Sequence, residues 1–312
     1  MKKTILAIGM AFSGLFAYAQ QDAQFSQNMF NRLAINAGYA GSRGAICGTL
    51  LYRTQWVGFD GAPETTLLSV DMPVKVLYGG AGITVFQDQL GAEKNFSATL
   101  DYAYRRTLGA GNVGIGIELG LFNKNLRGLA SNGVKDGLVP IDPNDPSIPA
   151  NSESDMTVDF GFGIYYNTND LYFGVSTSHI PETDVKLQKI DISLARHYYV
   201  MAGYNYQLPN PSLVLKPSVF IKSDAATTAL DVNALLEWNS TVWAGGSFRP
   251  GDAAVALVGV QIIKDLKFGY AYDFTLSDIK GYSSGTHELM LNYCKKLQSE
   301  QPPMRYRNVR FL

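Results

Sequence analysis

Few side chains in this sequence are equipped for chemistry, and their spacing argues against a catalytic centre. Its three histidines are His179, His197 and His287. Nucleophilic hydrolysis needs one of them beside a Ser or Cys that it can activate. His197 and His287 fall inside alternating, strand-like runs, and His179 heads a connection. No pair of Cys or His residues has the spacing of a metal site, and the acidic stretch 141–146 lacks the glycine and distal glutamate of a calcium loop. A non-enzymatic chain with no cofactor and no metal ligands is therefore expected. Two cysteines, Cys47 and Cys294, stand near opposite ends of the sequence.

The elements that position these residues are strands. Hydrophobic residues make up 46% of the chain, yet after the first twenty positions no apolar run is long enough to cross a bilayer as a helix. The apolarity alternates instead. Val113, Ile115, Ile117, Leu119 and Leu121 interleave with Gly114, Gly116, Glu118 and Gly120; Leu266, Phe268, Tyr270, Tyr272 and Phe274 interleave with Lys267, Gly269, Ala271 and Asp273. Such a strand has lipid on one face and water on the other.

A soluble β-sandwich alternates as well, and three further features favour a membrane barrel. Lys2 and Lys3 precede an apolar stretch ending in Ala17-Tyr18-Ala19, the pattern of a secretory signal peptide over residues 1–19, so that the mature chain starts at Gln20. Tyr and Phe number 18 and 16 and concentrate in the alternating runs, where their rings suit membrane interfaces. The runs recur at 45–56, 64–72, 79–88, 94–107, 112–123, 155–167, 170–178, 194–207, 212–222, 226–237, 240–248, 252–263, 266–276 and 285–296, about fourteen in all. An even count puts both termini on one side. Connections on that side are short, at 109–111, 167–169, 209–211, 239 and 264–265; those opposite are long, at 57–63, 126–154, 179–193 and 277–284. The expected fold is all-β, a transmembrane antiparallel outer-membrane barrel with periplasmic termini. Residues 20–44 are expected as a periplasmic N-terminal segment, 45–296 as the barrel, and 297–312 as a tail carrying Arg305, Arg307 and Arg310.

The balance of 26 basic and 27 acidic residues gives no reason to propose a nucleic-acid partner. Many charges share the inward phase: Asp101, Arg105, Glu118, Asp159, Lys216, Asp231, Asp273 and Glu288. They form either a selectivity lining or, the favoured reading, a cross-barrel network that fills the interior. Closure of a barrel makes its first and last strands neighbours, which brings Cys47 and Cys294 to the same seam, both pointing inward. A disulfide there would suit an oxidising compartment; two unpaired, strand-packed thiols are the plainer reading.

Three blocks carry a family resemblance. Gln21-Asp22-Ala23-Gln24-Phe25-Ser26-Gln27-Asn28-Met29-Phe30 leads to Asn36-Ala37-Gly38-Tyr39-Ala40-Gly41, then Arg53-Thr54-Gln55-Trp56-Val57-Gly58-Phe59-Asp60-Gly61-Ala62-Pro63-Glu64-Thr65. The last runs from Ala271-Tyr272-Asp273-Phe274 through Gly281-Tyr282-Ser283-Ser284-Gly285-Thr286-His287-Glu288. They resemble the PorP/SprF family of Bacteroidetes outer-membrane proteins, with departures at Ala23, Asn28, Ala37 and Gly38. The resemblance implies a non-enzymatic barrel of the type IX secretion system that supports secretion and surface attachment of large adhesins, sometimes for gliding motility. Implied partners are a secreted adhesin or other cargo, and periplasmic secretion-system components reached through the N-terminal segment or the C-terminal tail.

Arg53, Gln55, Trp56, Phe59, Pro63 and Tyr282 are the candidate partner-binding residues, because glycines and a proline stiffen the loop around Trp56 and because rigid aromatics dominate binding surfaces. A Trp at that height also serves as a plain membrane-interface anchor. The rival function is passive transport, as a porin or hydrophobic-solute channel, with the long connection 126–154 folded inward as a constriction. A lipid-modifying enzyme would need an inward His within reach of a Ser.

Overall fold

The computed structural model describes residues 22–58, 61–128, 151–187 and 191–297. Alternation along the chain becomes a closed antiparallel sheet. The barrel strands are β1 (Ala45–Thr54), β2 (Glu64–Val74), β3 (Gly79–Leu90), β4 (Glu93–Leu108), β5 (Gly111–Leu126), β6 (Glu153–Asn167) and β7 (Leu171–Ser178). They continue with β8 (His197–Tyr204, prolonged past Asn205 by Tyr206–Gln207), β9 (Leu213–Ser223), β10 (Thr228–Trp238), β11 (Val242–Arg249), β12 (Ala253–Ile263), β13 (Leu266–Thr275) and β14 (Thr286–Lys296). Each pairs with its sequence neighbour, and β1 pairs with β14 to close a barrel of 14 strands. The alternating runs anticipated all of these strands to within a few residues. A two-stranded hairpin, Asp184–Lys186 with Asp191–Ser193, stands in the connection between β7 and β8, where only a loop was expected.

Phase decides what each face meets. On β5, Ile115, Ile117, Leu119 and Leu121 all turn outward and are exposed, while Gly114, Gly116 and Gly120 are buried inward. An outward apolar band of this kind lies against hydrocarbon, and the barrel form leaves no unpaired strand edge within it. Tyr78, Tyr104, Tyr204, Tyr206 and Trp238 stand exposed near the end that carries the termini, as an interfacial girdle requires. The connections at that end are short, among them Lys75–Leu77 and Asn239. The opposite end carries the β1–β2, β5–β6, β7–β8 and β13–β14 connections. Most of the β5–β6 connection, together with Phe59, the signal stretch and the basic tail from residue 298, lies outside the described residues.

Candidate functional site

The lumen is filled by the chain's own N-terminal segment. Residues 22–44 begin among side chains at the loop-bearing end and descend through the barrel to join β1 at the other, making two short 3-10 turns, Asn28–Phe30 and Ala37–Tyr39. This corrects the expectation of a segment lying outside the barrel on the periplasmic side. The physical reason is steric and polar complementarity. Gly114, Gly116 and Gly163 form a wall without side chains, and the backbone of Asn36, Ala37 and Gly38 lies directly on it: a Cβ added at Gly116 would sit 2.3 Å from the carbonyl carbon of Ala37, and one at Gly114 2.2 Å from the Gly38 oxygen. Gly80 gives the same clearance to Ala40. Even Gly38 admits no side chain, since a Cβ there would meet the Gly114 and Gly163 oxygens at 2.8 and 2.9 Å. The Asn36 amide donates to the Ile164 and Val175 carbonyls at 3.0 Å each, and Arg105 donates to the Gly38 carbonyl at 3.1 Å.

Charges on the wall complete the fit. Arg53, 2% exposed, donates from Nη1 to Glu288 Oε2 at 3.0 Å and from Nη2 to Asp273 Oδ2 at 2.9 Å. The backbone N–H groups of Ser26 and Gln27 donate to the two Glu288 oxygens, each at 2.8 Å, and the Ser26 hydroxyl donates to Asp273 at 2.7 Å. Gln24 reaches Asp231 at 2.7 Å, and Asp231 accepts from Arg249 at 2.6 Å. Buried carboxylates are costly unless paired and hydrogen-bonded, and here the segment supplies the donors that the two arginines leave wanting. The interior network foreseen from the inward charges exists, with the plug as part of it. Beyond it the lumen divides into cavities, about 580 Å³ at the terminus-bearing end, lined in part by Arg32, Tyr39, Lys216 and Trp243, and about 120 and 210 Å³ in the other half.

The plug's upper end is held by a polar cluster. His179 Nε2 lies 3.1 Å from Asp22 Oδ1, and its Nδ1 lies 2.7 Å from Asp159 Oδ2. Tyr199 also donates to Asp22, and Lys222 donates to the Asp22 carbonyl at 2.6 Å. Burial opposes charge on His179, but the Asp22 and Asp159 carboxylates outweigh it and push its pKa up to about 11. Burial likewise opposes ionisation of Asp22, yet His179 and His197 hold its carboxyl well below the usual range. No metal-ligating set was expected from sequence spacing; in the fold, Asp22, His179 and His197 bring one ligand atom each within 4.8 Å of one another. Sequence gave no signal for this, since the three come from the plug, a loop and a strand. The histidine nitrogens meet Asp22, Asp159, the Ala195 carbonyl and the Tyr270 hydroxyl rather than a serine hydroxyl.

The candidate partner-binding residues divide. Arg53 belongs to the buried network and is unavailable to an outside partner, because its strand phase turns inward onto two carboxylates. Gln55, Trp56 and Pro63 are half-buried, and Tyr282 is 76% exposed. Two connections distant in sequence form one platform: Val57 donates to the Gly285 carbonyl at 2.8 Å, Ser284 donates back to Val57 at 2.7 Å, and the Trp56 N–H donates to Thr286 Oγ1 at 3.1 Å. Trp56, at a positive φ of 51°, and Tyr282 thus stand on the same hydrogen-bonded structure. Below it, Cys47 pairs with Cys294 in register and their sulfurs are joined.

A plugged 14-stranded barrel with this seam matches a known family model over residues 17–293, described as type IX secretion system membrane protein PorP/SprF. The chain belongs to that family. It is an outer-membrane β-barrel. Curated proteins yield no match. Solved structures similar in outline include the Acinetobacter baumannii outer membrane protein Omp33 (9% identity, TM-score 0.45, 81% of this chain and 97% of that one). The CymD monoaromatic hydrocarbon channel is similar at 12% identity and TM-score 0.46, over 88% and 93% of the two chains. A Pseudomonas aeruginosa FadL homologue is similar at 9% identity and TM-score 0.44, over 80% and 89%.

Proposed function

We propose that this barrel serves the type IX secretion system as a docking scaffold, supporting secretion and cell-surface attachment of a large secreted partner such as a gliding-motility adhesin, and that its termini face the periplasm. The observation that carries the reading is the lumen filled by residues 22–44 and fastened by the Arg53, Asp273 and Glu288 network. A conduit needs a continuous hydrated path; a scaffold needs a rigid body and a fixed outer surface. The Trp56 and Tyr282 platform supplies that surface, with Gln55 and Pro63 setting its shape through the 2.9 Å bond from the Gln55 N–H to the Pro63 carbonyl. With the N-terminal segment inside the barrel, the basic tail beyond residue 297 is the part left to meet periplasmic components.

Replacing Trp56 and Tyr282 together by Ala tests the reading. Truncating buried aromatic anchors commonly costs about 2 kcal/mol or more, near thirtyfold in affinity. The variant barrel should keep its heat-modifiable gel mobility in the outer membrane while cargo is lost from the cell surface. Cargo that stays on the surface after deletion of the whole barrel would reject the scaffold role. Single-channel recording separates the passive-transport reading, for which the purified protein should conduct steadily; the scaffold should be nearly silent.

A further inference from the structure

At the loop-bearing end of the lumen, two imidazoles and a carboxylate from three separate elements converge on one point. We propose that Asp22, His179 and His197 bind a divalent metal ion of the zinc class, which clasps the plug at Asp22 to the barrel wall. The ligand types suit zinc: imidazole nitrogen with one carboxylate oxygen is a borderline donor set, whereas calcium and magnesium demand oxygen throughout.

The geometry needs little change. Tetrahedral zinc holds N and O ligands at about 2.0 to 2.2 Å, which places neighbouring ligand atoms roughly 3.3 Å apart. His179 Nε2 and Asp22 Oδ1 already stand 3.1 Å apart. The full set lies within 4.8 Å, so closing it takes a contraction of about 1.5 Å at most, and the Asp22 side chain, with a third of its surface open, has room to adjust.

His179 has a carboxylate behind the nitrogen that faces the site, as metal-ligating histidines usually have. Asp159 Oδ2 sits 2.7 Å from His179 Nδ1, directing Nε2 at the site. His197 Nδ1 stands 2.9 Å from the Ala195 carbonyl and 3.8 Å from Asp22 Oδ2, and its Nε2 accepts from the Asp22 N–H at 3.2 Å, so either nitrogen faces the Asp22 side of the cluster. The metal takes the place of that contact and of the proton between His179 and Asp22. A cavity of about 210 Å³ borders all three ligands and holds Asp88 and Glu93 as well, giving room for a water in the fourth position. Asp159 and Glu118 line the adjoining cavity. Lys222 and Lys124 offset part of this negative field, the latter through its 2.8 Å pair with Glu93.

The test uses the full-length barrel, purified in detergent and stripped with a chelator, with Zn²⁺ titrated against a chromophoric competitor and Co²⁺ as a spectroscopic probe. One equivalent should bind per chain, with the visible absorption of tetrahedral Co²⁺. H179A/H197A should lose about a hundredfold or more in affinity, and D159N, which removes only the orienting carboxylate, about ten- to a hundredfold. Heat-modifiable mobility verifies that each variant is folded, and H179Q/H197Q replaces the alanine pair if that pair does not fold. Absence of stoichiometric Zn²⁺ binding, or equal affinity in the wild type and the folded histidine variants, overturns the proposal and leaves the cluster as an ion-pair latch alone.

Discussion

Replacing Gly116 by Val should open the lumen without disturbing the barrel. Val is well suited to a strand, so β5 itself tolerates the change, and the side chain points away from lipid. The conflict is with the plug: the new Cβ alone would lie 2.3 Å from the Ala37 carbonyl carbon and from the Gly38 nitrogen, and 2.6 Å from the Ala37 oxygen, more than 1 Å inside ordinary contact. Residues 36–38 must retreat. Retreat strains the Asn36 bonds to the Ile164 and Val175 carbonyls, the 2.6 Å bond from Ser176 to the Ile35 carbonyl and the Arg105 bond to Gly38. Those four bonds are worth about 0.5 to 1.5 kcal/mol each, so plug docking should weaken by roughly 2 to 6 kcal/mol. Single-channel recording should register openings absent from the wild type, and a cysteine introduced at Ala37 should become reactive to a small aqueous thiol reagent. Gly48→Ala is the control, since its Cβ would meet nothing nearer than 3.8 Å. A Gly116→Val barrel as silent and as unreactive as the wild type would refute the placement of the plug against this wall.

Ile117→Arg should block membrane assembly or destabilise the barrel by about 2 to 4 kcal/mol, because Ile117 faces lipid and is 61% exposed; Gly116→Arg should leave assembly intact and expel the plug, and equal assembly defects would reject the phase assignment. Arg53→Met leaves Asp273 and Glu288 buried without their cation and should cost about 3 to 5 kcal/mol in denaturant unfolding; a loss below 1 kcal/mol would mean that the network is hydrated. Denatured without reductant, the protein should show no reactive thiol at Cys47 or Cys294 after passage through an oxidising compartment, and two labelled thiols would show that the seam is closed by hydrogen bonds only.

Strand positions were legible because period-two alternation is a local signal, set by lipid on one side and water on the other. The alternation of Ile115, Ile117 and Leu119 with glycines was visible without any fold. The purpose of the glycines was not, since a small inward residue reads equally as a hydrated lumen and as a wall awaiting another backbone. The seam could be inferred from closure alone, as Cys47 must face the last strand. Arg53 was misassigned as an outside contact because its motif neighbours, Trp56 and the glycines after it, do lie at the barrel end, while a single step of strand phase turns the guanidinium inward. The Asp22, His179 and His197 cluster could not be read at all. His179 and His197 stand in a loop and a strand whose approach depends on the bend of the β7–β8 connection, and Asp22 reaches them only once the segment behind it has entered the lumen.

That entry constrains how the protein is assembled. Ser26 and Gln27 dock on Glu288, some 260 residues later in the chain, and Ser26 also needs Asp273. Ser26 and Gln27 therefore meet these carboxylates only once β13 and β14 have formed. Conversely, the buried Glu288 of β14 gains its inward partners only when Arg53 of β1 and the plug meet it. Contacts of such sequence separation form late, because the closure entropy of the intervening chain must be met first. Docking of Ser26 and Gln27 and closure of the seam thus use the same strands: the Arg53 and Glu288 pair belongs to both, and the Cys47 and Cys294 bond lies between β1 and β14 as well.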